Sequence, residues 1–277
     1  MRTRIVSDSA ANLYALEGVD FVSVPLKIIA GEREYVDRPG LNIAEMVEEL
    51  HRTKGPSRTS CPNSFEWLEA FEGADAIFAV TISGALSGSH AAAMHAKEEY
   101  LSAHPGAKVC VIDTLSAGAE MLLIVEKLRA LIQRGLSFEE IEKEISAYRK
   151  RTHVLFCLQS LNNLARNGRI SPAVAKLAGV LGIRVLGRGS EEGQLQALHK
   201  CRGEKRMLET AFAEMKKAGF CGGRVHIAHC LNETAARQLR QIILGEHPGC
   251  ALTIGGCTGL CSFYAEKGGL IVGYEGA

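Results

Sequence analysis

The sequence predicts an α/β protein of two lobes, a first lobe built on a mainly parallel sheet and a second α+β lobe that closes against it. Three observations predict this. Up to about residue 151, short apolar runs alternate with amphipathic stretches of helical period, the pattern of parallel strands with helices on both faces. Near Val154 the alternation gives way to paired strand-like runs joined by a Gly-rich turn. The chain has 277 residues and is 47% hydrophobic, enough for one large domain or two modest ones. We place the lobes at residues 1–155 and 156–277, a soft boundary across which chain segments can be shared.

In the first lobe, Arg4–Ser7 and Phe21–Pro25 read as strands. Asn42 caps a helix through Leu50, and Asn63 caps one carrying Phe65, Leu68 and Phe71 at helical spacing. Ala76–Ile82 is a buried-strand run, followed by an Ala-rich helix from about Ser87 to Tyr100. Lys108–Asp113 is strand and Gly118–Gln133 helix. Ser137 and Glu140 form a capping box opening a helix to about Arg151. In the second lobe, Val154–Leu158 is strand, and a helix opens at Ser171-Pro172 with Pro at the favoured first position. Ile183–Leu186 and Gln194–His199 form a hairpin across Gly187 to Gly193. Helices near Glu204–Ala218 and Glu233–Leu244, and strands at Arg224–His229, Ala251–Ile254 and Leu270–Tyr274, complete the chain.

A net charge of +1 argues against a dedicated nucleic-acid binder. No uncharged apolar run approaches the ~20 residues that span a bilayer, and the N-terminus lacks a signal-peptide pattern. The expectation is a soluble, cytoplasmic protein without stable membrane insertion. The nine cysteines are scattered and odd in number. Several lie in strand runs, such as Cys110 and Cys157, where a thiol serves as a small hydrophobe, so a reduced protein is expected rather than a disulfide scaffold.

Thr81 to Ala91 (Thr-Ile-Ser-Gly-Ala-Leu-Ser-Gly-Ser-His-Ala) runs from a strand end into a helix start. Free N–H groups there suit an anion, and Ser83, Ser87 and Ser89 add hydroxyls; Ser87 also serves as a helix cap. Thr59-Ser60-Cys61-Pro62 is a turn that also precedes a helix, Asp113 to Gly118 is another strand end entering a helix, and Asp8-Ser9 follows the first strand. Asp113 can orient backbone groups at this rim. There is no P-loop, dinucleotide fingerprint or H-E-x-x-H pattern, and Gly84 to Gly88 is one residue out of step with a nucleophile elbow. The absence of these motifs shifts weight toward a binding protein.

Taken in order, the motifs resemble those of the DegV family. They are Asp8-Ser9, Thr59-Ser60-Cys61-Pro62, Leu86-Ser87-Gly88-Ser89, Asp113-Thr114 through Gly118, Leu161 to Ile170 with its Gly168-Arg169-Ile170, and Lys200-Cys-Arg202-Gly203-Glu-Lys205. The resemblance implies a long-chain fatty acid in a tunnel between the lobes, presented to a separate ATP-dependent fatty acid kinase that makes the acyl phosphate. It implies a subunit with no catalysis of its own, no cofactor and no metal. The carboxylate would lie at Thr59, Ser60, Ser87 and Gly88 and at the C-terminal Gly-rich loop with Cys257 and Thr258. Arg169, Lys200, Arg202 and Lys205 would be partner-docking or phosphate-facing groups.

One departure matters. The family's loop carries a His where Cys257 stands, and a neutral thiol is the weaker donor. Either hydroxyls and N–H groups suffice for the acid, or the site is altered, with a different ligand or a metal- or oxidation-responsive cluster of Cys61, Cys257 and Cys261. A third alternative is a hydrolase or transferase with Ser87 or Cys257 as nucleophile, which needs a base in hydrogen-bond reach.

Overall fold

The computed structural model describes residues 2–52, 55–174 and 182–277. The first lobe is a parallel sheet of β1 (Thr3–Asp8), β2 (Asp20–Val24), β6 (Ala76–Thr81) and β7 (Lys108–Asp113), in the order β2-β1-β6-β7. Every side chain of β6 is buried, as a central parallel strand covered on both faces requires. Ile77 and Ala79 pack against helices α2 (Ser64–Phe71) and α3 (Ser89–Ala103) through Trp67, Phe71 and Tyr100. Phe78 and Val80 pack on the opposite side, against α4 (Ala119–Gln133) and α5 (Phe138–Arg149). Ser137 makes the reciprocal capping-box bonds that its sequence promises, and Asn63, expected as a cap, makes them with Glu66 as well.

The second lobe is a mixed sheet in the order β10-β9-β8-β13-β11-β12. Its strands are β8 (Thr152–Leu158), β9 (Ile183–Gly189), β10 (Leu195–Arg202), β11 (Val225–His229), β12 (Leu252–Gly256) and β13 (Leu270–Glu275). Leu155, Cys157, Val225, Ile227 and Val272 form one core with helices α7 (Glu204–Lys217) and α8 (Glu233–Glu246). Phe156 and Leu158, on alternate positions of β8, face the other way toward the short helices α6 (Asn162–Arg166) and α9 (Gly259–Ala265).

A small antiparallel sheet, β4-β3-β5, is formed by β3 (Lys27–Ala30), β4 (Arg33–Val36) and β5 (Ser57–Ser60), with α1 (Ile43–Arg52) beside it. Ile28, Ala30, Met46 and Val47 share their core with Phe156, Leu158 and Phe263, so elements from before residue 60 pack with elements from beyond residue 155.

Helix α4 joins the lobes. It buries Ala119 through Val125 without a break, then Leu128 and Leu131, the pattern of a helix with no solvent face in its first two turns. Strand β13 crosses its N-terminus so closely that a Cβ on Gly273 would lie 2.4 Å from the carbonyl carbon of Ala119. Any side chain at 273 would separate the second sheet from the helix.

Two expectations need correction. In α2 the buried face is Trp67, Ala70 and Phe71, whereas Phe65 is 64% exposed, because the helix lies on the sheet along the Trp67 side. The segment Thr59-Ser60 is the end of a strand rather than a free turn. Of the helix expected at Ser171-Pro172, residues 172–174 are helical and the rest lies outside the described residues.

Within α4, burial pushes the Glu120 carboxyl up to about 7, against hydroxyl donations from Ser116 (2.5 Å) and Thr152 (2.8 Å). The native carboxyl holds its proton to higher pH than the unfolded one, with its ordinary value of 4.5. The native state therefore binds more protons in that window, and this contribution to stability is lost as pH rises from about 4.5 to about 7. Glu120→Gln removes it. Thermal melts across this range are expected to show wild type losing stability with rising pH relative to the variant; parallel curves would contradict the assignment.

Candidate functional site

Between the lobes lies a cavity lined by residues of both. Its walls are almost wholly apolar, with Leu26, Ile82, Phe156, Leu158, Leu260 and Ile271 contributed by both lobes. Its polar side chains include Thr59 at the end of β5, Ser87 before α3, Arg169 after α6 and Tyr264 on α9. Thr59 Oγ1 and Tyr264 OH are 2.8 Å apart. Arg169 Nε donates to the Leu86 carbonyl at 2.9 Å, and its Nη1 donates to the Asn167 carbonyl. Among the described residues no carboxylate pairs with this guanidinium. Ser87 lines the cavity, and its Oγ accepts from Ser89 N at 3.3 Å in the turn before α3, whose N-cap is Gly88 rather than the Ser87 that the sequence suggests.

The loops that carry these groups are pinned by buried carboxylates. Asp8, at the end of β1, accepts from Ile82 N at 2.9 Å, Ala10 N at 3.2 Å and Ser89 Oγ at 2.7 Å. Burial nevertheless pushes its carboxyl up to about 7. Asp37, just past β4, accepts from Gly259 N at 2.6 Å and Leu260 N at 2.9 Å, satisfying the free N–H groups at the start of α9. Tyr14 OH donates to it at 2.5 Å. Burial raises the Asp37 carboxyl, and these donors oppose that rise. A Cβ on Gly259 would lie 2.6 Å from Asp37 Oδ1, so the close approach requires glycine there. Asp113 accepts from Gly84 N at 3.2 Å and Leu115 N at 3.0 Å, orienting the rim as its position in the sequence suggests.

Of the residues singled out from sequence, Thr59, Ser87 and Arg169 line the cavity together. Ser60 and Gly88 are exposed beside it, with Gly88 packed toward the Cys61 sulfur. Cys257 is buried behind the cavity wall, its N–H bonded to the His229 carbonyl at 2.9 Å. Thr258 is fixed by Asn12, whose Oδ1 accepts from Thr258 N at 2.6 Å. The thiol that reaches the cavity is Cys261, and the hydroxyl that meets Thr59 is Tyr264. Arg169 stands apart from Lys200 and Arg202, which line a separate surface groove with Arg206 and Lys217; Lys205 lies exposed at the start of α7. Sequence reasoning missed Tyr264 and named Cys261 only within a candidate thiol cluster, because this segment reads as a Gly-rich loop; their spacing of three places both on one face once Gly259–Ala265 is helical.

Comparison with known proteins identifies the chain. The DegV family model, described as that of an uncharacterised protein family, matches residues 2–275. The chain belongs to the DegV family. A DegV domain-containing protein of Streptococcus pneumoniae serotype 4 is 45% identical over 279 residues, covering 99% of each chain. Among solved DegV-like structures, the fatty acid kinase (Fak) B3 protein of Streptococcus pneumoniae, loaded with linoleic acid, is 44% identical, with a TM-score of 0.98 and full coverage of both chains. A DegV family protein from Eubacterium eligens, loaded with heptadecanoic acid, is 42% identical with a TM-score of 0.97, covering 99% of this chain and 100% of that one.

The DegV cavity here depends on Asp37 for the placement of α9. Asp37→Ala strands two buried N–H groups and the Tyr14 hydroxyl, each bonded to an ionisable acceptor. A loss of roughly 3 kcal/mol is expected in urea unfolding; a loss within experimental error would show that α9 holds its place without the carboxylate.

Proposed function

We propose that this DegV protein binds a long-chain fatty acid in the cavity between its lobes and presents the carboxylate to a separate ATP-dependent fatty acid kinase, with no catalysis of its own. The observation that carries the reading is Arg169, a half-buried guanidinium with no carboxylate partner among the described residues, set at the edge of an otherwise apolar cavity beside the hydroxyls of Thr59, Ser87 and Tyr264. Cations left without a partner at an apolar site favour an anionic ligand with an apolar body.

The energetics agree. About fifteen buried methylenes contribute on the order of 12 kcal/mol gross, and association takes back roughly 4–15 kcal/mol. The tail therefore drives affinity, and the polar end selects the acid. Cys257 has no place in that selection: burial raises its thiol well above the ordinary value and its sulfur does not line the cavity. The exchange of the family's His for Cys257 is then compatible with an ordinary fatty acid.

The hydrolase alternative gains no support. Among the described residues neither an imidazole nor a carboxylate is hydrogen-bonded to Ser87, and a buried thiol with a raised pKa is a poor nucleophile. The metal alternative fares likewise: among the described residues no group of three or more His, Cys, Asp and Glu is placed to hold an ion. Presentation to a kinase is supported by the likeness to the Fak B3 protein and by the exposed bases Lys200, Arg202 and Lys205. Among the described residues no helix is long and apolar enough to cross a membrane.

Arg169→Met tests the reading. Loss of a charge-assisted bond of about 1.5–3 kcal/mol is expected to weaken palmitate binding roughly 10- to 100-fold. The affinity for the matching fatty alcohol should be little changed, and Arg169→Lys should restore part of the loss. Equal affinity of wild type and Arg169→Met for the acid, measured by displacement of a fluorescent acyl probe, would contradict it.

A further inference from the structure

The apolar cavity does not end against solid protein. Leu115, Val154 and Gly189 line it and also line a second cleft on the other side of them. That cleft is of opposite character, with Glu120, Arg149, Thr152, His153, Arg188 and Glu192 among its walls. A thin partition therefore separates a dry space from a charged one. We propose that Leu115 is this partition, and that by closing the cavity it sets the length of acyl chain the protein accepts. The proposal rests on the fatty-acid reading given above.

Along β8, the partition stands at the end away from Thr59 and Tyr264. Val154, Phe156 and Leu158 face the cavity from alternate positions of β8, a span of about 13 Å at ~3.3 Å per residue. At the Leu158 end, a Cβ on Gly269 would touch both Leu158 Cδ2 (2.8 Å) and the Ala265 carbonyl (2.3 Å). Leu158 thus neighbours Ala265, next in chain to Tyr264, whose hydroxyl meets Thr59. At the Val154 end, a Cβ on Gly189 would lie 3.1 Å from Val154 Cγ1 and 3.8 Å from the Leu115 carbonyl oxygen. A tail whose head sits at Thr59 and Arg169 and which follows β8 runs toward Leu115.

The backbone of Leu115 is built for this post. Its φ of +53° is one that a branched, non-glycine residue rarely adopts. It is held there by its neighbours: Leu115 N donates to Asp113 Oδ1 at 3.0 Å, and Thr114 Oγ1 donates to the Thr81 carbonyl at 2.8 Å. From the second lobe, the hairpin turn presses on it. Ser83 Oγ donates to the Gly193 carbonyl at 2.8 Å, and a Cβ on Gly193 would lie 3.0 Å from Leu115 Cα. An unfavourable backbone conformation kept by contacts from both lobes is a mark of a functional position. Here it holds Leu115 where the two spaces meet.

Two substitutions of opposite sign test this. Leu115→Gly removes the side chain and suits the positive φ, so it opens the partition without adding strain. Gly189→Ala adds a methyl to the same wall. The measurement is the ratio of affinities for arachidic (C20) and palmitic (C16) acid, by displacement of one fluorescent acyl probe from delipidated protein. Leu115→Gly should raise the C20-to-C16 ratio by about fourfold for each methylene newly housed, and Gly189→Ala should lower it. A ratio unchanged from wild type in both variants, with probe binding retained, would overturn the partition while leaving the fatty-acid reading intact. A wild-type protein that binds neither acid would overturn that reading and the proposal with it.

Discussion

Helix α4 has apolar residues on every side of its first turns, and it can be stable only if both sheets cover it. The rest of the architecture follows from meeting that demand. The parallel sheet covers one flank through Phe78 and Val80. Strand β13 covers the other, and Gly273 lets it approach to backbone contact. The segment that enters α4, Leu115 to Gly118, then lies at the join of the lobes. Its residues Leu115, Ser116 and Ala117 become a wall of the cavity. The one polar side chain that α4 takes inside, Glu120, is satisfied by hydroxyls rather than by a cation, which is why its proton is held to higher pH.

Around that helix, the cavity is assembled by loops rather than by regular elements. Buried carboxylates fix these loops because each binds several backbone N–H groups at once. Asp8 ties the first strand end to the start of α3, and Asp37 ties the small sheet to α9. The polar end of the cavity thus receives Thr59 from β5, Ser87 from the α3 entry, Arg169 from beyond α6 and Tyr264 from α9, four groups far apart in sequence. Binding sites held on such a scaffold are pre-formed, so little ordering opposes a flexible ligand beyond that of the ligand itself.

Much of this was legible in the sequence where local rules decide. The alternation of strands and helices, the caps at Asn63 and Ser137 and the hairpin around Gly193 follow from periodicity and cap chemistry, and the structure holds them. The small sheet was not legible. Ser57–Ser60 is polar throughout, and Lys27–Ala30 is short, so their strands are stabilised by pairing and by packing against residues some two hundred positions later. Ser87 was found through its place between a strand end and a helix start, and Thr59 through its turn before a helix. Arg169 was read as a partner-docking or phosphate-facing base with Lys200 and Arg202, because sequence does not reveal that it lines an apolar cavity. Tyr264 was missed because a helix of seven residues behind a run of glycines carries almost no period.

The central claim is that the space between the lobes holds a fatty acid by its length and its charge. Extraction of the purified protein with organic solvent, followed by mass spectrometry of the released small molecules beside a native mass spectrum of the intact chain, tests it most directly. The account predicts a long-chain fatty acid in near-stoichiometric amount, with the native mass heavier by that acid. A chain that emerges without any acyl compound, and whose native mass stays unshifted after incubation with palmitic acid, would contradict it.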